Sequence, residues 1–215
     1  MRKHKTKSTS AGGLQERGFT LVEILVAMSV MAIVTGAIYG VFFSSSRSCR
    51  TQDRVVDAQE KVRVGIDFMV RDIRMAGYDP REDATDAVEG GGAGIKLATA
   101  TKIRFASDMD RDGSIEEGNR ERITYTYDAG TNEVHQILYE GTASESVQTL
   151  MDDVSALSFT YLDEDGNTMA VPVSASNLAN IRTVVVSVTC QGQNAQGNPF
   201  TRTLNARAIC RNLNL

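Results

Sequence analysis

Asp108, Asp110 and Asp112 stand at alternate positions in the stretch DMDRDGSIEEGN, with Gly113 directly after them and Ile115 two residues further on. These are the first, third, fifth, sixth and eighth positions of a calcium-binding EF-hand loop, where hard oxygen donors converge on one cation and a glycine makes the sharp turn. The backbone carbonyl of Ser114 falls at the seventh position. The twelfth should be a bidentate glutamate but is Asn119, so Glu116, Glu117 or Glu121 has to substitute. The candidate calcium set is therefore Asp108, Asp110, Asp112, Ser114 and Glu117. The flanks read as strands rather than helices, and an acidic hairpin loop that keeps the domain soluble explains the same residues. Both readings stand at this point, and Ca2+ is the one cofactor the sequence offers.

Other reactive side chains are sparse. There are two histidines, His4 and His135, and no Cys-x-x-Cys pair. His4 lies near the N-terminus, ahead of the apolar run, so a hydrolase triad or histidine-based zinc site in the rest of the chain would rest on His135 alone, and the chain is not expected to be an enzyme. The GGGAG run at Gly90–Gly94 lacks the Gly-Lys-Ser/Thr ending of a phosphate-binding loop and reads as a flexible surface loop. Three cysteines, Cys49, Cys190 and Cys210, leave at least one unpaired within a single chain. Cys190 and Cys210 look like a pair. If Cys190 lies opposite Phe200, however, Cys210 is about ten residues further along its strand, roughly 30 Å at about 3.3 Å per residue, beyond disulfide reach. A buried free thiol is expected for at least one of them.

One carboxylate stands out by its surroundings. Glu23 lies inside GFTLVEILVAMSVMAIVTGAIYGVFF, Gly18 to Phe43, which is apolar for about 25 residues, enough to cross a bilayer as a helix. A lone carboxylate there is costly and needs a partner. The charge and the glycine precede the apolar run, the reverse of a secretory signal with its cleavage site at the far end.

Gly18, Phe19, Thr20, Leu21, Val22 and Glu23, followed by that run, closely resemble the class III signal of type IV pilins and type II secretion pseudopilins. The resemblance implies that a prepilin peptidase/N-methyltransferase cuts after Gly18 and methylates the new terminal amine of Phe19. It also implies that Glu23 pairs with the terminal amine of a neighbouring subunit during assembly. A buried charge is tolerable when paired in this way. RDIRMAGYDP, Arg71 to Pro80, together with VSALSFTYLDEDGN and the ending ARAICRNL, resembles the PilW-type minor pilins. The expected partners are the peptidase, other minor pilins, the major pilin and the inner membrane. The expected role is a structural subunit that initiates or caps pilus assembly. A type II secretion pseudopilin of the J type is the alternative within the class. A membrane-tethered calcium-dependent binding module is the alternative outside it, and it predicts no processing after Gly18.

The positioning elements follow from pattern. Residues 1–18 form the expected leader. It carries Arg2, Lys3, Lys5, Lys7 and Arg17, and basic residues before a first apolar helix hold that end in the cytoplasm, leaving the remainder periplasmic. The whole chain has 23 basic and 27 acidic residues; removing five basic and one acidic leaves 18 and 26, a net charge of −8. No nucleic acid is expected as a partner of so acidic a domain. Residues 19–43 form the transmembrane and assembly helix, and 44–77 its amphipathic continuation. In that half Val55, Val62, Ile66, Met69, Ile73 and Ala76 share one helical stripe. Gly77 and Pro80 supply the stop. Many pilins carry a proline near Gly40, where the helix loosens; this sequence has none there. Residues 78–215 form a β-rich globular domain, with turns over 81–101. Strands are expected around Ile103 and Phe105, then at Arg122–Asp128, Glu133–Tyr139, Val154–Leu162, Arg182–Cys190 and Phe200–Ile209, with a short edge strand at Ala170–Val173. The fold class is α+β: a long N-terminal helix packed on an antiparallel β-sheet, the pilin architecture.

Overall fold

The computed structural model describes residues 18–193 and 197–213; the body of the expected leader lies outside them. α1 runs unbroken from Leu21 to Arg74. The chain divides into two compact units, one ending at Ser46 and the other starting at Arg47.

In the first unit the helix passes through Gly36 and Gly40 without interruption. A Cβ added at either glycine would meet nothing within 4 Å. Among the described residues neither glycine relieves a contact, and each leaves room for a neighbouring helix to approach closely.

The second unit contains ten strands: β1 (Thr85–Asp86), β2 (Gly94–Ala98), β3 (Lys102–Ala106), β4 (Ser114–Ile115), β5 (Arg122–Asp128), β6 (Glu133–Leu138), β7 (Ser146–Met151), β8 (Val154–Leu162), β9 (Thr183–Gln193) and β10 (Pro199–Ile209). They form a five-stranded antiparallel sheet ordered β2-β3-β5-β6-β7, a three-stranded antiparallel sheet ordered β10-β9-β8, and a short parallel pair, β1 with β4. The single sheet expected from sequence is thus divided.

The stripe on α1 is the core face. Val62, Ile66, Met69, Ile73 and Ala76 are buried. They share one cluster with Ile103, Phe105 and Val134 of the larger sheet and with Leu157, Val186 and Val188 of the smaller. Each such aliphatic burial contributes about 1.5–3 kcal/mol relative to exposure. Gly65 lets the helix approach β7, since a Cβ there would lie 2.4 Å from Met151 Sδ. A polar tie reinforces the packing. Asp72 Oδ2 accepts hydrogen bonds from the Tyr125 hydroxyl at 2.7 Å and from Gln136 Nε2 at 3.1 Å. α1 ends in a tight turn into Gly77, whose φ of +77° and close contact with Asn212 and Leu213 admit only glycine comfortably.

Three expectations need correction. Gly94–Ala98, read as part of a flexible loop, is the edge strand β2, with Ile95 and Ala98 buried. The loop before it is pinned by Asp86, whose Oδ1 accepts the N–H groups of Val88 at 3.0 Å and Glu89 at 3.2 Å and the guanidinium of buried Arg122. Ala170–Val173 is not a strand; the chain there contains a cis Val171–Pro172 bond, and Val173 N–H donates to the Ala98 carbonyl at 2.9 Å. Pro172 has no N–H to donate to a ladder. Cys190 lies opposite Arg202 rather than Phe200. Cys210 is then about eight residues further on, roughly 26 Å at about 3.3 Å per residue, and all three cysteines are free thiols.

Candidate functional site

Two places bear on function, the first turn of α1 and the acidic loop. At the helix start, Thr20 acts as the N-cap: its hydroxyl accepts the N–H of Glu23 at 3.3 Å, and its carbonyl accepts that of Ile24 at 3.2 Å. Thr20 and Glu23 have the spacing of a capping box, a signal that sequence reading passed over. Glu23 therefore sits in the first turn, where exposed N–H groups and the helix dipole favour a negative charge. Phe19 immediately before it is 79% exposed.

Among the described residues, nothing covers the helix that follows. Leu21, Val22, Ile24, Leu25, Met28 and Met31 are all more than half exposed, and the apolar character continues to Phe43. The most apolar window of the helix has a mean hydropathy of 2.3 and none of it is buried. Apolar area on this scale needs a lipid or protein partner. Length and hydropathy together make this segment fit to anchor the chain in a membrane.

In the acidic loop, the structure brings together most of the expected carboxylates but not all. Asp108 is fully buried; its Oδ1 accepts the N–H of Arg111 at 2.6 Å and its Oδ2 that of Gly113 at 3.2 Å. Asp110 accepts the N–H of Asp112 at 3.2 Å and the side-chain amide of Asn119 at 2.6 Å. Asp112 accepts both the N–H and the hydroxyl of Ser114, at 2.8 and 2.7 Å. Glu117 turns away and accepts the Ser144 hydroxyl. Among Glu116, Glu117 and Glu121, it is Glu121 that closes on Asp108 and Asp110. One oxygen from each of these three lies within 4.8 Å of the others.

Glu121 is fully buried. Its Oε1 accepts the N–H groups of Met109 at 2.9 Å and Asp110 at 3.3 Å, and its Oε2 accepts that of Glu116 at 3.0 Å. Burial pushes its carboxyl above the usual range, and the neighbouring Asp110 charge adds to this against the three N–H donors. Asp110, Asp112 and Glu116 make a second, exposed group, and Asp79, Asp83 and Asp108 a third. Hard oxygens at these separations match what a calcium ion takes. The loop also satisfies much of its own charge through backbone N–H groups.

The comparisons agree with the helix start. The prokaryotic N-terminal methylation motif matches residues 14–39. The family described as prepilin peptidase-dependent protein B matches residues 51–208. Pilin-like protein PilA3 of Thermus thermophilus is 37% identical over 62 residues, which is 29% of this chain and 27% of the relative. The match spans about a quarter of that relative's length. A capped apolar helix opening on Gly-Phe-Thr-Leu-Val-Glu, followed by a matching α+β domain, settles the affiliation: the chain belongs to the prepilin peptidase-dependent protein B family, among the type IV pilins and pseudopilins.

Proposed function

We propose that the chain is a minor pilin of PilW type, a structural subunit that primes or caps filament assembly and performs no catalysis. The observation that carries this is the uncovered apolar helix, which holds a single carboxylate in its first turn, directly after Gly18 and Phe19. Such a helix is stable in lipid or against like helices, and Glu23 is stable there once a cation meets it. The terminal amine of a neighbouring subunit is that cation. The prepilin peptidase/N-methyltransferase, the other pilins and the inner membrane are the partners, with the globular domain in the periplasm. The peptidase dependence named in the family's description supports the cut after Gly18. The J-type secretion pseudopilin uses the same residues and stays as the second reading.

N-terminal mass analysis of the membrane-extracted protein tests this. The expected species begins at N-methylated Phe19. Gly18→Val keeps the leader, while Glu23→Val is still cut and inserted but fails to co-purify with other pilins. An intact leader on filament-incorporated protein, or Glu23→Val that co-purifies normally, overturns the proposal.

We propose in addition that the acidic loop takes calcium through Asp108, Asp110 and Glu121. Supporting this are the approach of their oxygens to within 4.8 Å of one another and the burial of Asp108 and Glu121.

A further inference from the structure

β7 is the outer strand of the five-stranded sheet, bonded to β6 on one side and, among the described residues, to no strand on the other. Ser146 to Thr149 are exposed along it, and Val147 is 54% exposed. An open edge offers a row of unpaired backbone donors and acceptors, and proteins usually blunt it with proline, lysine or a covering segment. Ser146–Met151 contains no proline and no charged residue. The register irregularity against β6, between Val134 and His135, falls only at its last residues.

At the C-terminal end of this edge, Thr149–Asp152 and α1 border a groove of about 830 Å³ whose apolar lining is Val64, Phe68, Leu150 and Met151. Asp57, Glu60, Glu133 and Asp152 line its rim; Lys61 is already 3.2 Å from Asp152, His135 is 3.5 Å from Glu133, and the Arg120 guanidinium stands 5.6 Å from the centre of the Phe68 ring. The strand itself is bracketed by Glu145 before it and by Asp152 and Asp153 after it.

These charges select the occupant. Two β7 strands pairing antiparallel would set Glu145 of one copy near Asp152 of the other at both ends, and pairing in parallel would set each acid near its equal. Like charges across a ladder are destabilising. We propose that β7 is a strand-addition site for an extended segment of a different polypeptide, with uncharged residues along its middle and Lys or Arg at its ends. Backbone bonds along the edge hold such a segment, an apolar side chain at its Thr149–Met151 end enters the groove, and the basic ends meet the acidic bracket. Nothing in this contact uses Phe19 or Glu23, so it goes beyond the assembly role proposed above and fails or stands separately from it.

The test places a photo-cross-linking amino acid at Gln148 of the full-length chain in its native membrane and sequences the cross-linked peptide. A control places it at Ser158 on the exposed face of β8. The expected product at Gln148 is a segment of another polypeptide flanked by Lys or Arg. Adding Glu145→Lys with Asp153→Lys, in a chain whose thermal melt is unchanged, lowers the yield about fivefold or more. Cross-links only between copies of this chain, a product without basic flanks, no product at Gln148, equal labelling from Ser158, or a yield indifferent to charge reversal each overturn the proposal.

Discussion

Glu121 carries a cost that the rest of the loop sets. Its carboxyl is raised in the folded state by burial and by Asp110, against the backbone N–H donors it accepts. A raised folded value means that its contribution to stability is full below the unfolded value and fades as pH rises through the folded one. The ionised form of the group therefore weighs against the fold. A bound divalent cation reverses that sign. Calcium at about ten times its dissociation constant stabilises by about 1.4 kcal/mol. The detergent-solubilised chain is accordingly expected to melt a few degrees higher in millimolar calcium than in chelator, and Asp110→Ala is expected to remove the difference. Identical melts in calcium and chelator would make the loop a self-sufficient acidic turn. Sequence spacing pointed to Asp108, Asp110 and Asp112 and favoured Glu117, whereas the structure groups Asp108 and Asp110 with Glu121 and leaves Asp112 in a separate group with Asp110 and Glu116. The choice depends on a reversal of the chain at Gly118 and Arg120, with φ of +114° and +59°, which linear spacing does not encode.

At the scale of elements, the sheet corner around β1 depends on the buried Asp86–Arg122 pair, with Lys96 Nζ 3.8 Å from the other Asp86 oxygen. Asp86 and Arg122 are 3% and 1% exposed. Burial pushes the Asp86 carboxyl upward, but the N–H groups of Glu89 and Val88 and the Arg122 guanidinium outweigh it and hold the group below its usual value. A lowered folded value contributes stability above the unfolded value, lost as pH falls through the folded one. Removing one partner strands the other charge: Asp86→Ala is expected to cost about 3–5 kcal/mol in denaturant unfolding, and Asp86→Leu with Arg122→Met much less. Asp86→Asn should lessen the loss of stability on acidification. A single-variant cost under about 1 kcal/mol would show the pair to be dispensable. Elements with a strong period were legible in advance. The α1 stripe followed its 3–4 spacing, and Val154–Leu162 was bounded as observed because it alternates from Leu157 onward, past an irregularity between Val154 and Ala156. β7 was missed because SVQTLM is mostly exposed and its alternation carries little apolar contrast. β2 was hidden by the glycines that precede it, and Val-Pro-Val at 171–173 mimicked a strand by composition alone.

Over the whole molecule, two surfaces of opposite character share one chain. Residues 19–43 expose almost only apolar side chains, while the domain from Arg47 onward buries its apolar residues in one main cluster and keeps most of its acids outside. Composition showed both halves, because hydropathy runs and net charge are additive properties of sequence. The division of strands between a five-stranded and a three-stranded sheet was not legible. It depends on which hairpins pack face to face across the helix stripe, a non-local choice that alternation within each strand does not record.

The placement of the thiols gives the chain a chemical clock. Cys49 is exposed, whereas Cys190 and Cys210 are each 1% exposed, with burial pushing the Cys210 thiol up to about 12. An alkylating reagent should consume the first at once and reach the others only through openings of the structure. Where reclosing outpaces alkylation, their labelling rates read out opening free energies. Cys190 sits within β9, bonded to both its neighbours, while Cys210 lies just past the end of β10, with its thiol 3.8 Å from the Ile73 carbonyl. Equal rates at the two would show the domain opening as one cooperative body; faster capture at Cys210 would time the release of the C-terminal tail from the helix end.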